Sequence, residues 1–127
     1  MSRGILDTSV LIATDVTPVP GELAISVASL AELQFGVLVA KTAEARAIRL
    51  ARLSAIQRRF DPLPVDEAVA DSYARLAARV VEVGRQPRTR VMDLLIAATA
   101  HAHGAVVYTR NAGDLAGLED LVTVQTI

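Results

Sequence analysis

The sequence predicts an α/β fold, in which helices flank a parallel sheet of about four or five strands. Short apolar segments alternate with longer segments of helical periodicity, and no repeat or low-complexity tract interrupts them. Residues 105–108, AVVY, are branched and unpunctuated, as expected of a strand covered on both faces. The segment 94–102 is apolar or small on every side apart from Thr99 and His101, which favours a helix packed against the sheet, and Gly104 ends that helix. A chain of 127 residues has room for one core, so we expect one domain spanning 1–127.

The first half of the chain predicts two strands and two helices. Prolines and a glycine separate the strands, because they break both kinds of regular structure. The arginines of the second helix step around one side, and such a stripe usually marks a solvated face. The predicted elements are a strand at 4–6, a loop at 14–22, a strand at 23–26, a helix at 29–40 and a helix at 42–60.

The second half of the chain is predicted to contain further helices and strands on both sides of the segment 91–108. A proline-punctuated connection at 61–65, with at most a short edge strand, leads to Asp66, which caps the next helix. That helix has the clearest period in the chain, with apolar residues at Val69, Tyr73, Leu76, Val80 and Val83. After it we expect a loop at 84–90 and, beyond the strand at 105–108, a helical turn at 115–119 and a closing strand at 121–124.

Four acidic side chains occupy comparable positions relative to these elements. Asp7 and Asp114 each follow a strand, Glu32 is expected in the first turn of a helix, and Asp93 opens a helix. Ligands of open parallel sheets bind at the carboxyl ends of the strands. Four like charges gathered there are costly unless a divalent cation neutralises them. The chain has no cysteine, and oxygen ligands favour Mg²⁺ or Mn²⁺.

Local structural roles compete with this metal hypothesis. Asp7 suits the N-cap of a helix, and the spacing of Ser29 and Glu32 fits a capping box, which alone explains Glu32 well. His101 and His103 are two residues apart and point to different sides of a helix, so ordinary helix-end roles are favoured over metal ligation.

Composition narrows the partners that the chain can have. An apolar fraction of 52% is high for a monomer and indicates surface that a second copy or a partner covers. Apolar runs stay well short of the roughly 20 residues of a membrane span, and an acid interrupts the start, so we expect a cytoplasmic protein without membrane contact. With the four acids set aside, 13 basic residues outnumber the 10 acids that remain of 14. This balance suits a polyanion held mainly through its backbone, because four aromatic residues are too few for an extended stacking platform.

Four segments together resemble the PIN-domain family, and specifically its VapC-type toxin ribonucleases. These segments are ILDTSVLI, SVASLAELQFG, DLLIAATAHAHG and VVYTRNAGD. The resemblance covers nearly the whole chain, and order, spacing and predicted structure agree. It implies an endoribonuclease dependent on Mg²⁺ or Mn²⁺, the toxin of a type II toxin–antitoxin system. It also implies a homodimer that a cognate antitoxin holds inactive by occupying the active groove.

Carried over residue by residue, the resemblance implies two sets of site residues. The catalytic and metal-binding set is Asp7, Glu32, Asp93 and Asp114. The substrate-binding set comprises a hydroxyl near the first acid, a basic residue before the third, and a Thr-x-Asn pair. Its candidates are Thr8 or Ser9, Arg88 or Arg90, and Thr109 with Asn111.

Three other classes of protein fit the pattern less well. A receiver-like phospho-acceptor needs a late lysine, and the lysine of this chain is Lys41. A HAD-type phosphatase needs Asp-x-Asp after the first strand, where Asp7-Thr8-Ser9 stands. A non-catalytic PIN-fold binding scaffold remains the main alternative, although a complete set of acids argues against it.

Overall fold

A parallel sheet with helices on both faces forms the centre of the computed structural model, which describes residues 3–14 and 18–127. The α/β class and the count of about four strands are therefore confirmed. The regular elements are β1 (Arg3–Leu6), α1 (Thr8–Leu11), β2 (Glu22–Ala24), α2 (Val27–Leu38), α3 (Ala43–Arg59), α4 (Glu67–Glu82), α5 (Val91–Ala102), β3 (Val106–Thr109) and β4 (Val124–Thr126). Two 3-10 turns lie at Pro87–Arg90 and Ala112–Leu115.

The strands are ordered β2-β1-β3-β4, and every pairing is parallel. Strand β1 is central: Ile5 is in register with Ala24 of β2 and with Val107 of β3. Because the strands are parallel, their carboxyl ends meet at one edge. The segments that follow Leu6, Ala24 and Thr109 therefore start side by side.

Each face of the sheet has its own apolar core. Ile5 and Val107 belong to a cluster with residues of α4 and α5, whereas their neighbours Leu6 and Tyr108 pack with residues of α1, α2 and α3. This alternation follows from the two-residue period of a strand. Burial on both faces explains why the predicted inner strand lacks polar residues.

Helix α5 ends as the sequence predicts. Gly104 has φ +62°, a left-handed conformation that residues with a Cβ rarely adopt. The Ala105 amide donates to the Ala100 carbonyl at 2.8 Å, and the Gly104 amide donates to His101 at 3.3 Å. These two bonds form a Schellman closure, which turns the chain directly into β3.

The start of α2 differs from the sequence prediction. The helix begins at Val27, and its N-cap is Ser26, whose hydroxyl accepts from the Ala28 amide at 3.0 Å. Ser29 is fully buried inside the helix, so the capping box predicted for Ser29 and Glu32 is wrong. The N-cap lies three residues before the predicted one, because a serine stands at both positions and local sequence does not distinguish them.

Several other boundaries also shift. The closing strand predicted at 121–124 is Val124–Thr126, and the helical turn predicted at 115–119 lies at Ala112–Leu115. The predicted loop at 84–90 contains the 3-10 turn Pro87–Arg90, and the possible edge strand at 61–65 is a single bridge between Leu63 and Ser26.

Other predictions hold. Helix α3 spans the predicted segment, and Asp66 caps α4 through the Val69 amide at 3.0 Å. The loop predicted at 14–22 gives way to β2 at Glu22, and its residues 15–17 lie outside the described residues. Within the described ranges, the helices are all too short or too polar to cross a membrane.

Gly4→Ala should lower the free energy of unfolding by about 1–3 kcal/mol, because overpacking a core forces its neighbours to move. A Cβ at position 4 would lie 2.9 Å from Cδ2 of the buried Tyr108 ring and 3.1 Å from Leu23. Gly36→Ala is the matched control: nothing lies within 4 Å of the added carbon, so stability should stay level or rise slightly. Urea unfolding of both variants measures the difference, and equal stabilities would contradict the packing of Gly4 against Tyr108.

Candidate active site

Asp7 begins the site at the carboxyl end of β1. Its amide donates to the Tyr108 carbonyl at 3.1 Å, which extends the β1–β3 ladder by one bond. Its Oδ1 accepts from the Val10 amide at 3.2 Å and from the Ser9 hydroxyl at 2.5 Å. Asp7 is therefore an N-cap, as its local sequence suggests. Both bonds fall on Oδ1, and none of the described residues donates to Oδ2, so capping leaves one oxygen for a further ligand.

Glu32 reaches the same edge from α2. It lies in the second turn of the helix rather than the first, because α2 begins two residues earlier than predicted. Its Oε1 accepts from the Thr8 hydroxyl at 2.6 Å. The contact joins residues 24 positions apart, so Glu32 faces the segment that follows β1 instead of its own helix terminus.

Asp93 lies in the first turn of α5 and is half-buried. The N-cap of α5 is Arg90, and no side chain makes a capping bond there, so capping does not explain Asp93. Burial raises the pKa of Asp93 above its usual range, and the charges of Asp114, Glu32 and Asp7 raise it further, in that order. The charge of Arg90 opposes this shift. All three other candidate acids thus act on Asp93, which makes the four carboxylates one electrostatic group.

Arg90 links the loop before α5 to the last acid. Its Nη1 donates to Asp114 Oδ1 at 2.6 Å, and both side chains are partly buried. Asp114 lies in the 3-10 turn that follows β3. Arg88 is exposed. Of the two arginines that the sequence offered, Arg90 is the one the structure brings to the acids.

Hydroxyl groups fix the backbone around the acids. Thr109 is 1% exposed, lies 3.4 Å from the Ser9 hydroxyl and accepts from the Asn111 amide at 2.9 Å. Ser9 also accepts from the Arg110 amide at 2.9 Å. These bonds hold the segment after β3 against the segment after β1. Asn111 is exposed at the same edge.

The donor set consists of carboxylate and hydroxyl oxygens, the kind that hard divalent cations bind. In the conformation described for residues 3–14 and 18–127, no three acidic or histidine side chains form a ready metal-binding group. Hydrogen bonds turn Asp7 toward Ser9, Glu32 toward Thr8 and Asp114 toward Arg90. A cation at this edge would compete with those donors for the carboxylate oxygens.

The histidines lie elsewhere. His101 is in the last turn of α5, at the opposite end from Asp93, and its Nδ1 lies 2.8 Å from the Ser72 hydroxyl. His103 is the C-cap of the same helix. Both are helix-end residues, as the sequence suggested.

The sequence did not point to two arginines that share a cavity with Glu32. Arg49 and Arg52 of α3 line a cavity of about 380 Å³ together with Thr8 and Glu32. The sequence predicts that they belong to a solvated stripe, because the packing of α3 against α2 is a tertiary feature that local sequence does not record. Only the three-residue spacing of Arg46, Arg49 and Arg52 hinted at a common side.

The sequence model of the PIN domain family matches residues 5–117. Fold and matched sequence agree, and the chain belongs to the PIN domain family.

Two curated relatives from Mycobacterium tuberculosis are named as ribonucleases. The chain is 42% identical to ribonuclease VapC5 over 132 residues, covering 99% of this chain and 95% of the relative. It is 37% identical to ribonuclease VapC4 over 128 residues, covering 96% and 95%.

Solved structures resemble the chain over nearly its whole length. VapBC-5 from Mycobacterium tuberculosis, a member of the VapBC family of toxin–antitoxin systems, matches with TM-score 0.86 and 41% identity, covering 100% of this chain and 98% of that chain. FitAcB from Neisseria gonorrhoeae matches with TM-score 0.75 and 28% identity, covering 95% of each.

Asp93→Asn should raise the melting temperature of the metal-free protein at neutral pH. A raised folded-state pKa means that the folded state binds more protons than the unfolded state. Wild-type stability is therefore unaffected by this group below its unfolded pKa and falls as pH rises through the folded pKa. Asparagine removes the charge at little change in shape, so the variant should lose this decrease. Melting temperatures measured across pH in EDTA test the expectation.

Asp61→Asn is the matched control, because Asp61 is exposed in the connection between α3 and α4. It should follow the wild-type pH profile. An Asp93→Asn profile that coincides with wild type at every pH would show that Asp93 is a scaffold residue.

Proposed function

We propose that this protein is a metal-dependent endoribonuclease and the toxin component of a type II toxin–antitoxin system. The observation that carries the proposal is the electrostatic group formed by Asp7, Glu32, Asp93 and Asp114 at the carboxyl edge of the sheet. Acids from four separate segments have no shared structural reason to converge, and their repulsion is costly without a cation. The names of VapC5 and VapC4 supply the reaction class.

In this proposal the four carboxylates hold Mg²⁺ or Mn²⁺. Such a cation lowers the pKa of a water molecule and stabilises the leaving oxygen of a phosphodiester. The chain itself keeps the acids in place: Thr8 and Ser9 orient Glu32 and Asp7, and the buried Thr109 fixes the loop between β3 and Asp114.

In the proposed reaction Arg90 contacts the substrate as well as Asp114. One nitrogen of its guanidinium holds Asp114, and the planar group carries further donors that match a phosphate. Arg90 can therefore position the substrate backbone next to the acids. We propose single-stranded or looped RNA as the substrate, because its backbone and bases are accessible there.

Exposed apolar side chains support a protein partner. Phe35, Leu38 and Val39 at the end of α2 are 65%, 76% and 48% exposed, and Ile48 and Leu50 of α3 are 54% and 49% exposed. The three residues of α2 fall within five positions at one helix end, and exposed apolar groups that lie together mark interaction surfaces. Ile48 and Leu50 lie on different sides of α3. VapBC-5 is a toxin–antitoxin pair, and we propose that a cognate antitoxin and a second copy of this chain cover such surfaces here.

Purified protein should cleave single-stranded RNA with Mg²⁺ or Mn²⁺ and lose all activity in excess EDTA. Asp7→Asn should abolish cleavage without lowering the melting temperature, because asparagine caps a helix about as well as aspartate and removes one of the like charges. Gel analysis of a labelled RNA, with Asp61→Asn as the active control, measures this. Full activity in EDTA would rule out the metal mechanism, and a folded protein inactive in every cation tested would favour the non-catalytic scaffold.

Wild-type protein should be a dimer by light scattering at micromolar concentration and should copurify with an antitoxin encoded next to it. Leu38→Glu should weaken one of these associations without unfolding the chain, because Leu38 is 76% exposed and contributes little to the core. Val65→Glu, at an exposed apolar position outside α2 and α3, is the control. A strict monomer without a copurifying partner would contradict the proposal.

A further inference from the structure

The cavity between α2 and α3 adjoins one of the four acids, Glu32, and is not used by the proposed chemistry. It has a volume of about 380 Å³ and opens beside Thr8 and Glu32, so it is continuous with the candidate active site. We call it the α2–α3 cavity. Its walls include Thr8, Glu32, Phe35, Gly36, Arg49 and Arg52.

Helix α3 brings a local excess of positive charge to this cavity. It carries five arginines and one glutamate, whereas the whole chain has a formal net charge of −1. A basic helix in a nearly neutral chain concentrates the attraction for an anion on one side of the molecule.

The two arginines that line the cavity differ in the hydrogen bonds that their side chains make. Arg49 donates from Nη1 to the Gly36 carbonyl at 2.6 Å, which ties α3 to α2 and fixes the shape of the cavity. Arg52 is partly buried, and its side chain has no hydrogen bond or ion pair with any other described residue. A guanidinium without a carboxylate partner leaves its planar set of donors available for a phosphate.

Phe35 supplies the apolar side of the cavity. It is 65% exposed, although most large apolar side chains of this fold are covered. An exposed ring and an unpaired guanidinium that line one cavity match the two halves of a nucleotide, because a base stacks on an aromatic face and a phosphate pairs with arginine.

We propose that the α2–α3 cavity is an RNA subsite, in which Arg52 contacts a backbone phosphate and Phe35 stacks on an adjacent base. The inference rests on the proposed ribonuclease function, since it places the nucleotide next to the bond that the acids cleave. The five arginines of α3 favour a polyanion as the occupant, so an antitoxin that covers Phe35 would compete with RNA for this cavity. Arg52 and Phe35 act in binding and not in the chemical step.

Arg52→Ala should raise the KM for a single-stranded RNA about tenfold and leave kcat within about twofold, because one charge-assisted contact is lost. Binding measured by fluorescence anisotropy with Ca²⁺ in place of Mg²⁺ should weaken equally. Its slope against the logarithm of salt concentration should fall by about 0.7, the value for one phosphate contact on a single strand. Arg58→Ala is the matched control, because Arg58 is exposed and lies about 120° away from Arg52 around the axis of α3.

Substitutions at Phe35 separate stacking from simple apolar contact. Phe35→Leu keeps an apolar side chain but removes the aromatic face, so RNA affinity should fall at least about fivefold. Phe35→Trp should keep wild-type affinity. A protein segment docked in the cavity would instead tolerate leucine, and its affinity would follow apolar area.

These outcomes separate a failure of the proposed RNA subsite from a failure of the proposed ribonuclease activity. If wild type cleaves RNA and Arg52→Ala has the KM, affinity and salt slope of Arg58→Ala, the subsite is wrong and the proposed function stands. If wild type does not cleave RNA, the proposed function fails, and the anisotropy assay still decides whether RNA binds through Arg52 and Phe35. Unchanged RNA binding with weakened antitoxin binding in both variants would assign the cavity to a protein partner.

Discussion

The parallel pairing of β1 with β3 is the contact on which the site depends. It joins residues about 100 positions apart, and the Asp7 amide extends it by donating to the Tyr108 carbonyl. Because both strands end at the same edge, the segments that carry Asp7 and Asp114 start side by side. The Ser9 and Thr109 hydroxyls then hold these segments together. A change in this register would separate the acids while leaving the helices intact.

At the same edge the four carboxylates repel one another, and hydrogen bonds within the fold relieve this repulsion only in part. Thr8, Ser9 and Arg90 each donate to one acid, whereas Asp93 lies half-buried in the field of the other three. Burial strengthens that field, because the protein interior screens charge less than water does. The protein therefore keeps an unfavourable charge arrangement at the one place where a cation and a phosphate would meet. Strain of this kind is typical of functional sites, where pKa values are perturbed most.

Sequence patterns predicted the sheet, most of the helices and the edge at which the acids meet. They succeeded because those features follow from periodicity and from short-range signals such as Gly104 and Asp66. They failed where two local signals competed, as at Ser26 and Ser29, or where a role depends on residues distant in the chain. Local sequence indicates a capping role for Glu32, and only the packing of α1 against α2 shows that its carboxylate accepts from Thr8 instead. Arg52 looked solvent-facing for the same reason, because no local pattern records which side of α3 meets the active edge.

A crystal structure of the wild-type protein grown with Mn²⁺ would locate the cation directly through its anomalous scattering. We expect Mn²⁺ at the carboxyl edge of the sheet, about 2.1 Å from oxygens of Asp7, Asp93 and Asp114 or Glu32, with the Thr8 or Arg90 contacts rearranged. Mn²⁺ bound only elsewhere, or an empty edge in crystals of protein that cleaves RNA in Mn²⁺, would contradict a cation site built from these four acids.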